Sequence, residues 1–173
     1  MNIEKVFVIP TGNELADGIV LDTDSPMLMQ LILKEAPGCQ FVRWPVAPDE
    51  PGKIAARIRQ SVQQGADLVI LIGGSGSGHL HSTLLGKDCT GETMESLLDT
   101  SAATALYGKN GHMWSRLVCG RIGTTLVVNV PGPYTEAKAA AAALCRTWDG
   151  SLKEINTAIA EAVKQCYIKN PNY

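Results

Sequence analysis

Short apolar runs alternate along the chain with segments whose apolar residues recur at helical spacing. A run that is apolar at every position is typical of a strand buried on both faces of a sheet, whereas spacing of three and four residues is typical of an amphipathic helix. The clearest run leads directly into a glycine-rich loop. On this pattern we predict four strands, over residues 6–9, 40–46, 67–72 and 124–130.

Helical spacing predicts five helices between and after these strands. Ser25-Pro26 offers a serine N-cap followed by proline at the first helical position, and Asp49-Glu50-Pro51 begins the next helix in a similar way. Glycine and proline mark the ends of several of these segments. Residues 107–123, with four glycines, are expected to be irregular. The predicted helices cover residues 26–36, 51–64, 92–106, 136–148 and 152–168.

This order of elements predicts a three-layer α/β fold with a mainly parallel sheet and helices on both faces, because parallel strands need crossover connections. No linker or shift in composition divides the 173 residues, so we expect one domain over 1–173. Ligands of such sheets bind beyond the carboxyl ends of the strands. The loops expected at that edge are residues 11–14, 45–50, 73–78 and 129–132.

Charge and composition exclude several classes of protein. The chain has 15 basic and 17 acidic residues and a net charge of -2, so nucleic-acid binding is not expected as the main role. The apolar runs are shorter than the roughly 20 residues that span a bilayer, and the amino-terminal residues do not resemble a signal peptide. Five cysteines without C-x-x-C spacing predict reduced thiols in a cytoplasmic protein.

The loop Gly73–Gly78 is the richest candidate for ligand binding. Its backbone N–H groups can form a nest for a phosphate or another anion, and Ser75 and Ser77 add hydroxyl groups. The loop is neither a P-loop nor a Rossmann fingerprint, because His79 follows Gly78. A flexible turn without a ligand is the alternative. The candidate ligand-binding residues are Thr11, Gly12, Asn13, Gly73, Gly74, Ser75, Gly76, Ser77, Gly78, Ser115, Arg116, Pro131 and Gly132.

Asp49 and His81 are the candidate catalytic residues. Asp49 either caps a helix or offers a carboxylate to Mg²⁺ or a nucleotide at the rim of the pocket. His81 is a candidate general acid or base, because histidine titrates near neutrality, and a zinc site that it would form with His79 and Cys89 lacks a fourth ligand. Arg116 is either a phosphate clamp or a surface charge. Weaker candidates for balancing an anion are Lys87, Lys109 and Arg121, while Asp22 and Asp24 are expected to cap a helix.

Four ordered motifs, spanning about residues 3–145, together resemble the molybdenum cofactor biosynthesis domain superfamily. Its members include molybdopterin adenylyltransferases, molybdopterin molybdotransferases and the matching domain of competence-damage-inducible proteins. The first motif is Thr11-Gly12-Asn13-Glu14-Leu15 with Gly18-Ile19 and Asp22-x-x-Ser25-Pro26-Met27-Leu28. The others are Ala66-Asp67-Leu68-Val69-Ile70 before Gly73-Gly74-Ser75-Gly76, then Ser115-Arg116 with Gly120, and Asn129-Val130-Pro131-Gly132.

The resemblance implies a pocket for molybdopterin, a pterin with a dithiolene and a phosphate, at the carboxyl ends of the strands. Adenylyltransferases of this superfamily join AMP from Mg-ATP to the pterin phosphate, and molybdotransferases insert molybdate while cleaving that adenylate. The chain is similar in length to the free-standing adenylyltransferases. The resemblance also implies a homo-oligomer, a trimer or a dimer, and it implies that Asp49 is the acidic residue that holds metal or nucleotide.

One position departs from the superfamily pattern. An acidic residue thought to serve catalysis normally follows the glycine loop, and His81 stands there in this chain. Neutral histidine is a poor ligand for Mg²⁺. Three functions therefore remain open: an enzyme of molybdenum cofactor assembly, a non-catalytic pterin-binding or carrier protein, and an unrelated flavodoxin-like module that binds nucleotides.

Overall fold

A computed structural model describes residues 3–76, 89–109, 111 and 113–169 of the chain. These residues form six strands and six helices. The strands are β1 (Lys5–Pro10), β2 (Gln40–Arg43), β3 (Leu68–Ile72), β4 (Thr100–Tyr107), β5 (Met113–Ile122) and β6 (Thr125–Val130). The helices are α1 (Asn13–Ala16), α2 (Asp24–Glu35), α3 (Pro51–Gln63), α4 (Thr90–Glu95), α5 (Tyr134–Thr147) and α6 (Leu152–Lys169).

The described strands form one sheet in the order β2-β1-β3-β6-β5-β4. The first four of these run parallel, and the register places Val8 opposite Ile70 and Ile70 opposite Val128. At the other edge, β5 runs antiparallel to β6, and β4 runs antiparallel to β5. The predicted α/β fold with a mainly parallel sheet is therefore confirmed, with an antiparallel pair added at one edge.

Helices cover both faces of the sheet, which gives the three predicted layers. Because successive side chains of a strand point to opposite faces, β1 divides its apolar residues between two cores. Val8 packs in the core beneath α2, α5 and α6. Phe7 packs in the core beneath α3 and α4. Both faces of β1, β3 and β6 are buried, and this is the physical reason why these strands are apolar at nearly every position.

The segment from 92 to 123 differs from the prediction. Instead of a helix over 92–106 and an irregular stretch over 107–123, it forms the short helix α4 and the hairpin of β4 and β5. Alanines in β4 favour a helix locally, but pairing with β5 overrides this preference. The side chain of Asn129 on β6 also holds β5, since it accepts from the Val118 N–H at 2.6 Å and donates to the Arg116 carbonyl at 2.9 Å.

Smaller differences concern the ends of elements. The second strand stops at Arg43 rather than 46, in keeping with Pro45, which has no N–H for the ladder. The short helix α1 forms inside the stretch that the sequence predicts as a loop. None of the described helices is both long enough and apolar enough to cross a bilayer.

Candidate functional site

Three of the predicted ligand-binding loops meet at the carboxyl ends of β1, β3 and β6. Thr11 follows β1, Gly73–Gly76 follow β3, and Pro131–Gly132 follow β6. All three line one cleft of about 470 Å³. Small-molecule sites usually occupy from about 300 to about 1,000 Å³, so the cleft has room for a ligand of that class.

Two glycines shape the floor of this cleft. Gly73 and Gly74 have φ angles of 93° and 58°, a region that favours glycine. A side chain at Gly73 would meet the Thr11 carbonyl oxygen at 2.8 Å, and one at Gly74 would overlap the Thr90 hydroxyl. The Gly73 N–H donates to the Val130 carbonyl at 3.0 Å and so belongs to the sheet. The Gly73 N–H is therefore not available to an anion, and only the backbone N–H groups after Gly73 could bind one at this loop.

Two helices begin at the cleft. Asp24 at the start of α2 and Tyr134 at the start of α5 both line it. The N-cap residues Thr23 and Pro133 make no side-chain capping hydrogen bond. The first turn of a helix carries backbone N–H groups that lack partners within the helix, together with a partial positive charge. The start of α5 therefore favours an anionic group, such as a phosphate, inside the cleft, whereas at the start of α2 the Asp22 carboxylate already accepts from the Ser25 N–H.

Carboxyl groups also line the cleft. A site that bound only anions would not be expected to contain them, because carboxylates repel anions. Burial and, second, the charge of Asp22 raise the pKa of Asp24 to about 6. Burial raises the pKa of Asp22 as well, but hydrogen bonds from Ser25 and Arg43 outweigh it, so this pKa lies below its ordinary value. The carboxyl groups of the lining are those of Glu14, Asp22, Asp24 and Glu136.

Glu136 is held by the last helix. It lies in the first turn of α5, is buried, and accepts a hydrogen bond from the Tyr167 hydroxyl at 2.9 Å. Burial raises the pKa of Glu136, and the bond from Tyr167 opposes that rise. The Tyr167 ring in turn packs against Trp114 of β5, with 4.5 Å between ring centroids. The cleft wall is thus tied through α6 to the antiparallel hairpin.

The predicted catalytic residue Asp49 pairs with the predicted ligand-binding residue Asn13. The Asp49 carboxylate accepts from the Asn13 N–H at 3.2 Å, and the Asn13 side-chain oxygen accepts from the Asp49 N–H at 3.1 Å. Glu50, not Asp49, is the N-cap of α3. The carboxylate of Asp49 therefore organises the loop after β1, but Gly12, Asn13 and Asp49 are not among the residues that line the cleft.

A family model described as "Probable molybdopterin binding domain" matches residues 7–148 of the chain. The chain belongs to this molybdopterin-binding family. The match includes all three loops that line the cleft, so the glycine-rich floor and the two helix starts lie within the family's own domain. The alternative of an unrelated flavodoxin-like module is therefore wrong.

Two curated relatives are longer than this molybdopterin-binding chain. A molybdenum cofactor biosynthesis bifunctional protein from Chlorobaculum tepidum is 30% identical over 142 residues, which are 78% of the chain and 43% of the relative. A CinA-like protein from Fervidobacterium nodosum is 38% identical over 74 residues, which are 43% of the chain and 17% of the relative. The chain thus spans less than half the length of either relative.

Solved structures share the fold of this molybdopterin-binding chain. The molybdopterin biosynthesis enzyme MoaB from Thermus thermophilus is 21% identical, with a TM-score of 0.63 over 94% of the chain and 98% of that structure. The protein CinA from Thermoplasma acidophilum, of unknown function, is 18% identical, with a TM-score of 0.64 over 84% of the chain and 98% of that structure. These likenesses establish the architecture.

Two further predicted residues of the molybdopterin-binding chain lie on β5 rather than in an irregular segment. Ser115 is buried and donates to the Ser75 hydroxyl at 3.1 Å, so it supports the glycine loop from behind. The Arg116 side chain donates to both carboxylate oxygens of Glu95, at 2.7 and 2.9 Å, and its backbone N–H donates to the Ser75 carbonyl. Its role as a phosphate clamp stays a prediction.

Several predicted residues lie outside the described part of the chain: Ser77, Gly78, His79, His81 and Lys87. Gly12 follows β1 and donates its N–H to the Ala47 carbonyl at 3.1 Å, which joins its loop to the 45–50 loop. Of the weaker basic candidates, Lys109 borders a separate cavity by the hairpin, and Arg121 donates to the Thr124 carbonyl at the turn between β5 and β6.

Two carboxyl groups of the cleft are not identified as site residues from the sequence. The sequence predicts Asp24 only as a helix cap and Glu136 only as part of a helix. A signal for both is present, since each lies in the first turn of a helix that follows a predicted ligand loop. Within the described residues, no three histidine, cysteine or acidic side chains come together as a metal site. Asp49 as a metal ligand therefore stays a prediction.

Proposed function

We propose that this chain binds molybdopterin in the cleft at the carboxyl ends of β1, β3 and β6 and acts in molybdenum cofactor assembly by transferring AMP from Mg-ATP to the pterin phosphate. A phosphate oxygen of molybdopterin attacks the α-phosphorus of ATP and forms a new P–O bond. The bond from that phosphorus to the bridging oxygen breaks, and pyrophosphate leaves. No net redox change occurs.

The single observation that carries this proposal is the convergence of the glycine loop with two helix starts in one cleft within the family domain. Backbone N–H groups of the glycine loop and the start of α5 suit the phosphate groups of the two substrates. The cleft volume of about 470 Å³ suits a ligand the size of a pterin. Because phosphoryl-group chemistry depends mainly on positioning and charge neutralisation, such a cleft supplies much of what the reaction needs.

Asp49 and His81 take the catalytic roles in this proposal. Asp49 lies beside Asn13 at the sheet edge, and its carboxylate is suited to Mg²⁺ that arrives with ATP, because Mg²⁺ is usually held by one or two carboxylates together with substrate phosphates. His81, three residues after Gly78 in the sequence, contributes as an acid or base. Both roles rest on the sequence motifs.

A non-catalytic pterin-binding or carrier protein is the second candidate function. His81 favours it, because the superfamily normally places an acidic residue at that position and this chain does not. Insertion of molybdate with release of AMP is the third possibility within the same pathway. All three share the molybdopterin-binding cleft and differ only in the chemistry that follows binding.

Incubation of the purified chain with molybdopterin and Mg-ATP under anaerobic conditions separates these candidates. The proposal expects adenylylated molybdopterin and pyrophosphate in equal amounts, with turnover lost in Asp49→Asn. Binding without either product would assign the chain to the carrier class. Release of AMP from adenylylated molybdopterin, dependent on molybdate, would assign it to the insertion step.

His81→Asp is the companion variant. If the histidine weakens adenylyl transfer, the aspartate restores or raises the rate of pyrophosphate release without changing the affinity for molybdopterin. An unchanged rate would mean that position 81 is not the acidic position of the superfamily. The predicted homo-oligomer and the predicted cytoplasmic location stay predictions, and light scattering of the purified chain tests the first of them.

A further inference from the structure

Asp24 differs from the other carboxyl groups in the lining of the cleft. Asp24 is only 6% exposed, and although the Thr23 side chain donates a hydrogen bond to its carboxylate, Oδ1 has no hydrogen-bond partner among the described residues. Asp22 is engaged by the Ser25 N–H and the Arg43 side chain, and Glu136 by the Tyr167 hydroxyl. A buried oxygen without a partner destabilises the folded chain, so a ligand that donates a hydrogen bond to it offsets that loss.

The chemistry of Asp24 defines the ligand group that would match it. A carboxylate accepts hydrogen bonds and repels phosphate, so it does not suit the anionic end of a ligand. The best match is a planar edge with two neighbouring N–H donors, because a carboxylate takes two parallel hydrogen bonds from such an edge. The 2-amino-4-oxo-pyrimidine ring of a pterin has this edge, formed by its ring N3–H and its 2-amino group.

We infer that Asp24 is the specificity-determining residue that accepts hydrogen bonds from the 2-amino-pyrimidinone edge of the pterin. This inference rests on the proposed function, and it adds which end of the pterin lies beside which residues of the cleft. The phosphate lies at the glycine loop and the start of α5, where Gly74 and Tyr134 line the cleft. The pyrimidinone edge lies at the start of α2, where Asp24 lines the same cleft.

The test compares Asp24→Asn with a matched control, Asp17→Asn. Asp17 is exposed at the end of α1, so its variant makes the same chemical change outside the cleft wall. The affinity for molybdopterin is measured with both variants and with the wild-type chain. Competition by 6-hydroxymethylpterin and 6-hydroxymethyllumazine is then measured, because lumazine replaces the 2-amino donor with an oxygen acceptor.

The inference expects Asp24→Asn to bind molybdopterin about tenfold or more weakly, while Asp17→Asn binds it like the wild type. It also expects the pterin to compete at least about tenfold better than the lumazine in the wild type and about equally in Asp24→Asn. Unfolding by urea confirms that the variant is folded.

Unchanged affinity in Asp24→Asn, or an unchanged preference for pterin over lumazine, would overturn the inference and leave the proposed function standing. If the wild-type chain does not bind molybdopterin at all, the proposed function fails, and the assignment of Asp24 fails with it. The two failures are therefore distinguishable by the wild-type measurement alone.

Discussion

Gly74 is the residue at which the backbone of the cleft is most constrained. Its φ of 58° disfavours any other residue, and a Cβ there would overlap the Thr90 hydroxyl. Gly123 provides a matched control, since its φ is 57° and no heavy atom beyond its two chain neighbours lies within 4 Å of the position that a Cβ would take. The two alanine substitutions therefore share the backbone cost, of about 1–2 kcal/mol, and differ in the clash.

We expect Gly74→Ala to lower the free energy of unfolding by about 1–3 kcal/mol more than Gly123→Ala does, because a crowded interior position adds an overpacking cost. Urea unfolding of the wild type and both variants measures the difference. Equal losses in the two variants would mean that the glycine loop has room for a side chain and is not packed as described.

The carboxyl group of Asp24 predicts a pH dependence of stability. Its pKa rises from an ordinary 3.8 to about 6 in the folded chain. Between these values the folded chain holds more protons than the unfolded chain, so this group lowers the free energy of unfolding as pH rises. Asparagine at this position does not ionise, so the Asp24→Asn variant avoids this decrease. We expect its free energy of unfolding at pH 7 to exceed that of the wild type by roughly 1–3 kcal/mol.

Urea unfolding from pH 4 to pH 7 measures this difference, with Asp17→Asn as the control. The gain in Asp24→Asn is expected to shrink toward pH 4, where the wild-type carboxyl group is protonated in the folded chain. A gain that does not change with pH would contradict the raised pKa. A variant that is more stable yet binds the pterin more weakly would separate a ligand role of Asp24 from a structural one.

At the scale of single elements, Tyr167 joins α6 to the cleft. Its hydroxyl donates to the buried carboxyl group of Glu136 at 2.9 Å. We expect Tyr167→Phe to lower the free energy of unfolding by about 1.5–3 kcal/mol, since it leaves a buried carboxyl group without this donor, and to raise the pKa of Glu136 further.

Tyr107→Phe is the control for this change. Tyr107 is 62% exposed on the hairpin, so the same loss of a hydroxyl is expected to change stability by less than about 0.5 kcal/mol. Urea unfolding at pH 7 compares the two variants. Equal and small effects would show that the bond between Tyr167 and Glu136 does not stabilise the cleft wall.

The elements that the sequence predicts best are those whose pattern has one physical cause. β1, β3 and β6 are buried on both faces, so their continuous apolar runs identify them directly. The hairpin of β4 and β5 has no such signal. Alanines and glycines there suit helices or loops locally, and what makes strands of them is pairing and the side chain of Asn129, which lies on a different strand.

In the site, too, some features have a local signal in the sequence and others depend on tertiary contacts. The loops at Thr11, Gly73 and Pro131 could be predicted to meet, because the carboxyl ends of parallel strands share one edge. The buried, partnerless oxygen of Asp24 could not be predicted, since it depends on how α2 packs against the sheet. Likewise, the bond from Asp49 to Asn13 joins two loops whose contact no local pattern encodes.

Across the whole molecule, the parallel part of the sheet provides the cleft, and the antiparallel edge provides its support. Backbone donors of the glycine loop, two helix starts and four carboxyl groups all line this one cleft. A ligand that carries both a phosphate and N–H donors matches this mixed lining. The carboxyl groups are what would favour a pterin phosphate over a simple anion as the occupant.

The most direct test of molybdopterin binding in this cleft is an anaerobic titration of the isotope-labelled chain with molybdopterin, followed by amide chemical shifts. We expect saturable changes centred on the amides of Gly74, Gly132 and Tyr134. The absence of saturable changes, or changes confined to the separate cavity beside Trp114 and Lys164, would contradict this expectation.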